Sequence, residues 1–164
     1  MDQPEPAAAQ PTAEDAAQQE AATLKAQFLN GISWFYWIGA LSLVNMAMSH
    51  FADRKFIIGL GITEVLDALA FADGKQVSVG WMAASVLVSV GFIGLGYLGR
   101  KGKRAFIIAG LAFYALDAAL LIFAKDVLSV LFHAYAGWSI FRGFQALGKI
   151  LTGLPATTVK PVST

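Results

Sequence analysis

Apolar residues gather into five long blocks, at 32–50, 56–72, 79–98, 105–124 and 127–147, and most charges fall in the short stretches between them. Each block has the ~17–25 residues that a helix needs to cross a hydrocarbon core of ~30 Å. None alternates apolar and polar positions as a membrane barrel strand would. Backbone in lipid must satisfy its own hydrogen bonds, so the pattern predicts an all-α integral membrane bundle of five transmembrane helices. The spanning domain covers residues 30–150. An acidic, Ala/Gln-rich tail over 1–29 precedes it, and a solvated tail over 151–164 follows.

Within the first tail, residues 1–11 are rich in Pro, Ala and Gln and read as disordered. Thr12 and Asp15 have the spacing of a capping box. The run from Ala13 to Leu29 then reads as a short surface helix stopped near Asn30-Gly31. The first twenty residues hold five acids and no base, unlike the positive start of a cleavable signal. The first span is therefore expected to act as its own uncleaved insertion signal.

Composition narrows the picture. Hydrophobic residues make up 57% of the 164-residue chain and charged residues 14%, with a mean hydropathy of +0.60. Soluble domains carry about a quarter charged residues, so this chain cannot build a surface that faces water. With no cysteine, disulfides, thiolate nucleophiles and thiolate-bound metals are excluded. Glycines at 39, 59, 91, 94, 110, 137 and 143 are expected to mark close helix approaches.

A repeat lies inside the apolar region. Arg54, Phe56-Ile57-Ile58 and Leu66-Asp67-Ala68 recur fifty residues later as Arg104, Phe106-Ile107-Ile108 and Leu116-Asp117-Ala118, seven identities over positions 54–70. This suggests a two-helix unit at an offset of 50. Topology follows from Lys and Arg, which favour the cytoplasmic side. Five spans put Lys25, Lys75 and Lys125 on one side and eight basic residues on the other, which predicts N-out and C-in. Trp34, Trp37 and Trp81 then share the outer interface. If 56–72 is instead re-entrant, four spans remain and the split becomes four against seven.

The second span is energetically doubtful. Its nine Leu, Ile, Phe and Val residues contribute roughly −3 to −5 kcal/mol to insertion, whereas ionised Glu64 and Asp67 cost roughly +5 to +7. Asp67, Asp117 and His133 fall at one depth, about 8–11 Å below the outer boundary. Glu64 lies one turn deeper, and Tyr114 takes its place in the repeat. This polar layer can act as interhelical glue or as a proton or ion relay. A metal site lacks its spacing, since no HxxxH or ExxH pair shares a helix. On the inner side, Asn45 and Arg142 are expected to meet. Arg100, Lys101, Lys103 and Arg104 form a loop cluster that sets topology or meets lipid headgroups.

No GxSxG, HExxH or nucleotide fingerprint is present, and no cofactor or nucleic-acid partner is expected. The segments Trp34-Phe35-Tyr36-Trp37, Ser42-Leu43-Val44-Asn45, Tyr114-Ala115-Leu116-Asp117, Phe132-His133 and Ile140-Phe141-Arg142-Gly143 resemble small multi-pass proteins of bacterial inner membranes. No activity attaches to that resemblance, so it assigns no residue a role. The sequence reading is a non-enzymatic accessory or scaffold protein in contact with the bilayer and with other membrane proteins or its own copies. The alternative is a small proton- or ion-coupled transporter or channel using Glu64, Asp67, Tyr114, Asp117 and His133.

Overall fold

The computed structural model describes residues 12–51, 60–70 and 78–153. Residues 1–11, 52–59, 71–77 and 154–164 lie outside it, and with them the expected disordered start, Arg54 of the repeat, both ends of the second span and most of the C-terminal tail. Five helices follow in order: α1 Ala13–Phe51, α2 Gly61–Ala70, α3 Val79–Arg100, α4 Arg104–Phe123 and α5 Val127–Gly153. No strand occurs among the described residues. α1, α3 and α4 each contain a stretch long and apolar enough to cross a membrane.

α1 opens with the capping box. The Thr12 amide donates to Asp15 Oδ2 at 3.0 Å, and the Asp15 amide donates back to Thr12 Oγ1 at 3.2 Å. The expected stop at Asn30-Gly31 does not occur; the helix runs unbroken for 39 residues. A mid-helix glycine costs about 0.5–1 kcal/mol, and packing against α5 offsets that cost here. A Cβ on Gly31 would lie 2.7 Å from Gly143 Cα and from the Ser139 carbonyl oxygen, so the two backbones touch. Small residues permit such crossings in membrane helices. Phe35, wholly buried, fills the middle of the bundle. Gly96 and Gly110 face it, and a Cβ at either would overlap its side chain. Gly91 and Gly94, by contrast, have open space where a Cβ would stand, so they are not the close-packing points expected.

The directions of the helices differ from those that five alternating spans require. Ile32 lies against Gly99, Phe35 against Gly96 and Gly39 against Ser89, so α1 and α3 are antiparallel. Gly31 meets Gly143 and Trp34 meets Tyr135 and Phe132, so α1 and α5 are antiparallel as well. An N-out, C-in bundle of five spans requires α1 and α5 to be parallel. Four long helices therefore alternate, and Thr12, the Lys101-Gly102-Lys103 turn and Gly153 share one end. The described part of α2, Gly61–Ala70, covers about 15 Å. The aromatic grouping changes too. Trp81 lies fifteen residues up α3 from Gly96, the neighbour of Phe35, which puts it about 22 Å from the level of Trp34.

Among the described positions of the repeat, 61–70 and 111–120 are helical in both copies, whereas Leu60 is not helical and its counterpart Gly110 is. The surface is inverted relative to a soluble protein. Phe123 is 85% exposed and Leu87 73%, while Ser42, Ser85, Ser89, Thr63, Asp67, Asp117 and His133 are buried.

Candidate functional site

α2 begins inside the bundle, where its first amides have no water to turn to. A helix start leaves four N–H groups without intrahelical partners, and in lipid each orphan costs several kcal/mol. Here every one is met. The Leu60 amide donates to Ser42 Oγ on α1 at 2.9 Å, and that hydroxyl in turn donates to the Ile38 carbonyl. The Gly61 amide donates to Asp117 Oδ2 at 2.8 Å and the Ile62 amide to Asp117 Oδ1 at 2.7 Å. The Thr63 and Glu64 amides reach back to the Leu60 carbonyl.

Asp117 thus caps α2 from α4 with both carboxylate oxygens. Negative charge at a helix start is favourable, by up to ~2 kcal/mol when partly buried. Gly61 makes the approach possible: a Cβ there would stand 2.8 Å from the Leu121 side chain and 3.6 Å from Asp117 Oδ1. Glu64, half-buried in the first turn of α2, adds charge of the same favourable sign.

His133 on α5 completes the site. Its Nε2 lies 2.8 Å from Asp117 Oδ2, and its Nδ1 lies 2.8 Å from the Ser129 carbonyl oxygen one turn back. A carbonyl can only accept, so Nδ1 carries a proton. One further proton is shared across the Nε2–Oδ2 bridge. Imidazolium with carboxylate, or imidazole with carboxylic acid, gives a couple of zero net charge either way. That neutrality is what makes the burial tolerable, because lone buried ions cost several kcal/mol each. Tyr114 stacks on the imidazole at 4.3 Å between centroids. Its hydroxyl is buried without a hydrogen-bond partner among the described residues.

Three of the five residues expected in the polar layer, Tyr114, Asp117 and His133, come together on α4 and α5. Asp67 is buried on α2 and Glu64 lies one turn nearer its start. The glue was expected to run from carboxylates to Tyr, Ser or Thr side chains. For Asp117 it runs to two backbone amides and an imidazole. Ser42, Gly61 and Ser129 were not foreseen in this site. Their signal was a serine amid apolar residues and a glycine just after Leu60. No group of three metal-binding side chains occurs among the described residues.

The expected contact between Asn45 and Arg142 does not form. α1 and α5 run antiparallel, and Asn45 is fourteen residues beyond Gly31, which meets Gly143 beside Arg142, about 21 Å along α1. Arg142 instead donates from Nε and Nη2, both at 3.1 Å, to the Gln27 side-chain oxygen in the amide orientation that hydrogen bonding requires. The basic turn is compact, with Gly102 at φ 77°. Lys101, Lys103 and Arg104 lie over the rings of Tyr97, Phe106 and Phe144. Comparison with protein-family models, curated proteins and solved structures finds no match to this chain.

Proposed function

We propose that this chain is a non-enzymatic integral membrane protein, an accessory or scaffold component of a membrane complex, in which Asp117 anchors a re-entrant half-helix. The observation that supports this reading is the full use of the carboxylate: both oxygens are engaged by α2 amides and one also by His133. A group so committed serves the architecture. The largely apolar outer faces suit contact with acyl chains and with other membrane helices. A bacterial inner membrane is part of this proposal, and the resemblance of its segments to small bacterial multi-pass proteins is what supports it.

Orientation follows from charge. With four crossings, Arg54, Lys55, Lys75 and Lys125 belong to one side and Lys25, Arg100, Lys101, Lys103, Arg104, Lys149 and Lys160 to the other. Seven against four puts both termini in the cytoplasm. Single cysteines at Gln18 and Gly102 are expected to react with an impermeant reagent from the cytoplasmic face, and one at Lys125 from the opposite face. Reaction of Gln18→Cys and Gly102→Cys from different faces refutes this topology.

One observation favours a second reading, a small proton-coupled transporter: α2 starts at mid-depth beside a shared proton, as broken helices do in transporters. Purified protein in liposomes loaded with a pH-sensitive dye separates the two. The scaffold reading expects proton flux equal to that of empty vesicles and co-purification of membrane partners that Asp117→Asn disrupts. Flux above background that Asp117→Asn abolishes in a folded protein overturns it.

A further inference from the structure

The Asp117–His133 bridge at 2.8 Å needs a proton between Nε2 and Oδ2, because the hydrogen on Nδ1 already goes to the Ser129 carbonyl. Free side chains of these two types titrate near ~3.9 and ~6.5, so together they hold no such proton at mildly alkaline pH. We infer that the bridge is a single-proton binding site, and that its proton ties the start of α5 to the joint between α4 and α2. This rests on the scaffold reading and names what regulates its anchor.

The site tolerates two states, one proton or none. Without the proton the couple carries one negative charge, and Asp117 already faces two amides at the start of α2, where such charge is favourable. A second proton would instead leave a positive charge at that helix start, where it is unfavourable. Loss of the one proton changes the bonding. Nε2 and Oδ2 then meet lone pair to lone pair. Asp117 stays with its two amides, so the imidazole gives way. The other tautomer restores the bond to Asp117 only by turning a bare Nδ1 to the Ser129 carbonyl. Either way one of the two 2.8 Å contacts of the ring is lost.

The surroundings suit this exchange. The ionisable neighbours are Tyr114 on α4, stacked on the ring, Glu64 and Asp67 on α2, and Lys125 and Asp126 in the turn before α5. Among the described side chains, α1 carries charge only at Glu14, Asp15, Glu20 and Lys25, and α3 only at Arg100, all toward the opposite end of the bundle. Arg142 lies nine residues beyond His133 on α5. The Ser129 hydroxyl donates to Asp126 at 2.6 Å. Asp126 is half-buried and about 10 Å along the chain axis from His133, so solvent comes close to the site at this turn.

Unfolding of the full chain in mixed micelles between pH ~7.5 and ~9 tests the inference, since there the unfolded chain holds no proton on either group. The native couple holds one, so the unfolding constant is expected to rise tenfold per pH unit until that proton leaves. His133→Gln, whose amide can donate to Asp117 but binds no proton, loses this slope. His50→Gln, at the chain's other histidine, keeps it. In the pH step where nitrogen NMR shows the His133 ring losing its proton, amide exchange over residues 127–136 is expected to quicken. A flat wild-type profile overturns the inference, as does a slope that survives in His133→Gln. If that variant does not fold, the wild-type ring decides: titration at the free value of ~6.5, or deprotonation without faster exchange, overturns it. Neither readout involves a membrane partner, so a negative result leaves the scaffold reading to its own topology and co-purification tests.

Discussion

Asp117→Asn is the substitution that most directly tests the site. The amide has the volume of the carboxyl but only one accepting oxygen. Placed toward Ile62, that oxygen keeps one α2 amide bonded, while the NH2 group faces the Gly61 N–H donor to donor. The Gly61 amide, buried beside Leu121, then has no acceptor, at a cost of about 1–3 kcal/mol. Loss of the negative charge at the helix start removes up to ~2 kcal/mol more. The sum, about 1–5 kcal/mol, overlaps the usual cost of about 3–5 kcal/mol for removing one partner of a buried pair. The damage should be local first, because Asp117 holds α2 while α1, α3, α4 and α5 pack on one another through other residues. Unfolding in mixed micelles gives the total change, and amide exchange over residues 60–70 locates it. A change below about 1 kcal/mol with unprotected exchange no faster than in the wild type refutes the capping argument.

Other predictions concern packing, burial and charge. Gly31→Ala should destabilise by about 1–3 kcal/mol through overpacking on Gly143, whereas Gly91→Ala, with open space beside it, should stabilise by about 0.5–1 kcal/mol; the same micelle titration checks both. Tyr114→Phe removes a buried hydroxyl that lacks a partner among the described residues, so stability should hold or rise by up to ~1–3 kcal/mol; a loss above ~1 kcal/mol would show the hydroxyl to be bonded. Lys125→Gly relieves a left-handed φ of 59° and should stabilise the end of α4 by roughly 1 kcal/mol in thermal unfolding. Hydrogen bonds from the Ser129 hydroxyl and amide hold the Asp126 carboxyl below its ordinary range. A depressed carboxylate contributes stability above its unfolded value near ~3.9 and loses it as the pH falls through the folded value. Ser129→Ala should therefore raise the Asp126 titration toward that ordinary value, read by carbon NMR of the carboxyl group.

The insertion arithmetic on residues 56–72 already signalled trouble: two acids on a short apolar stretch leave little to drive a full crossing. In the structure α2 starts at Gly61, and its first amides are given to Asp117 and Ser42. Charge counting turns on the same segment. Lys and Arg totals depend on which loops share a face, and a segment that does not cross would invert every later assignment. Arg142 was paired with Asn45 because parallel first and last spans would bring them level; antiparallel spans bring Gln27 there instead.

Residue chemistry and spacing alone determined the all-helical class, the apolar lengths, the capping box of α1 and the placing of Asp117 and His133 at a common depth. Those depend on neighbours in the chain and on the energetics of lipid, which periodicity records. Helix direction, the break before Gly61, the Gly31–Gly143 crossing and the bond from Asp117 to α2 were decided only by tertiary packing. Gly61 and Asp117 stand 56 positions apart and Gly31 and Gly143 112, and no local pattern encodes which distant amide a buried carboxylate will meet.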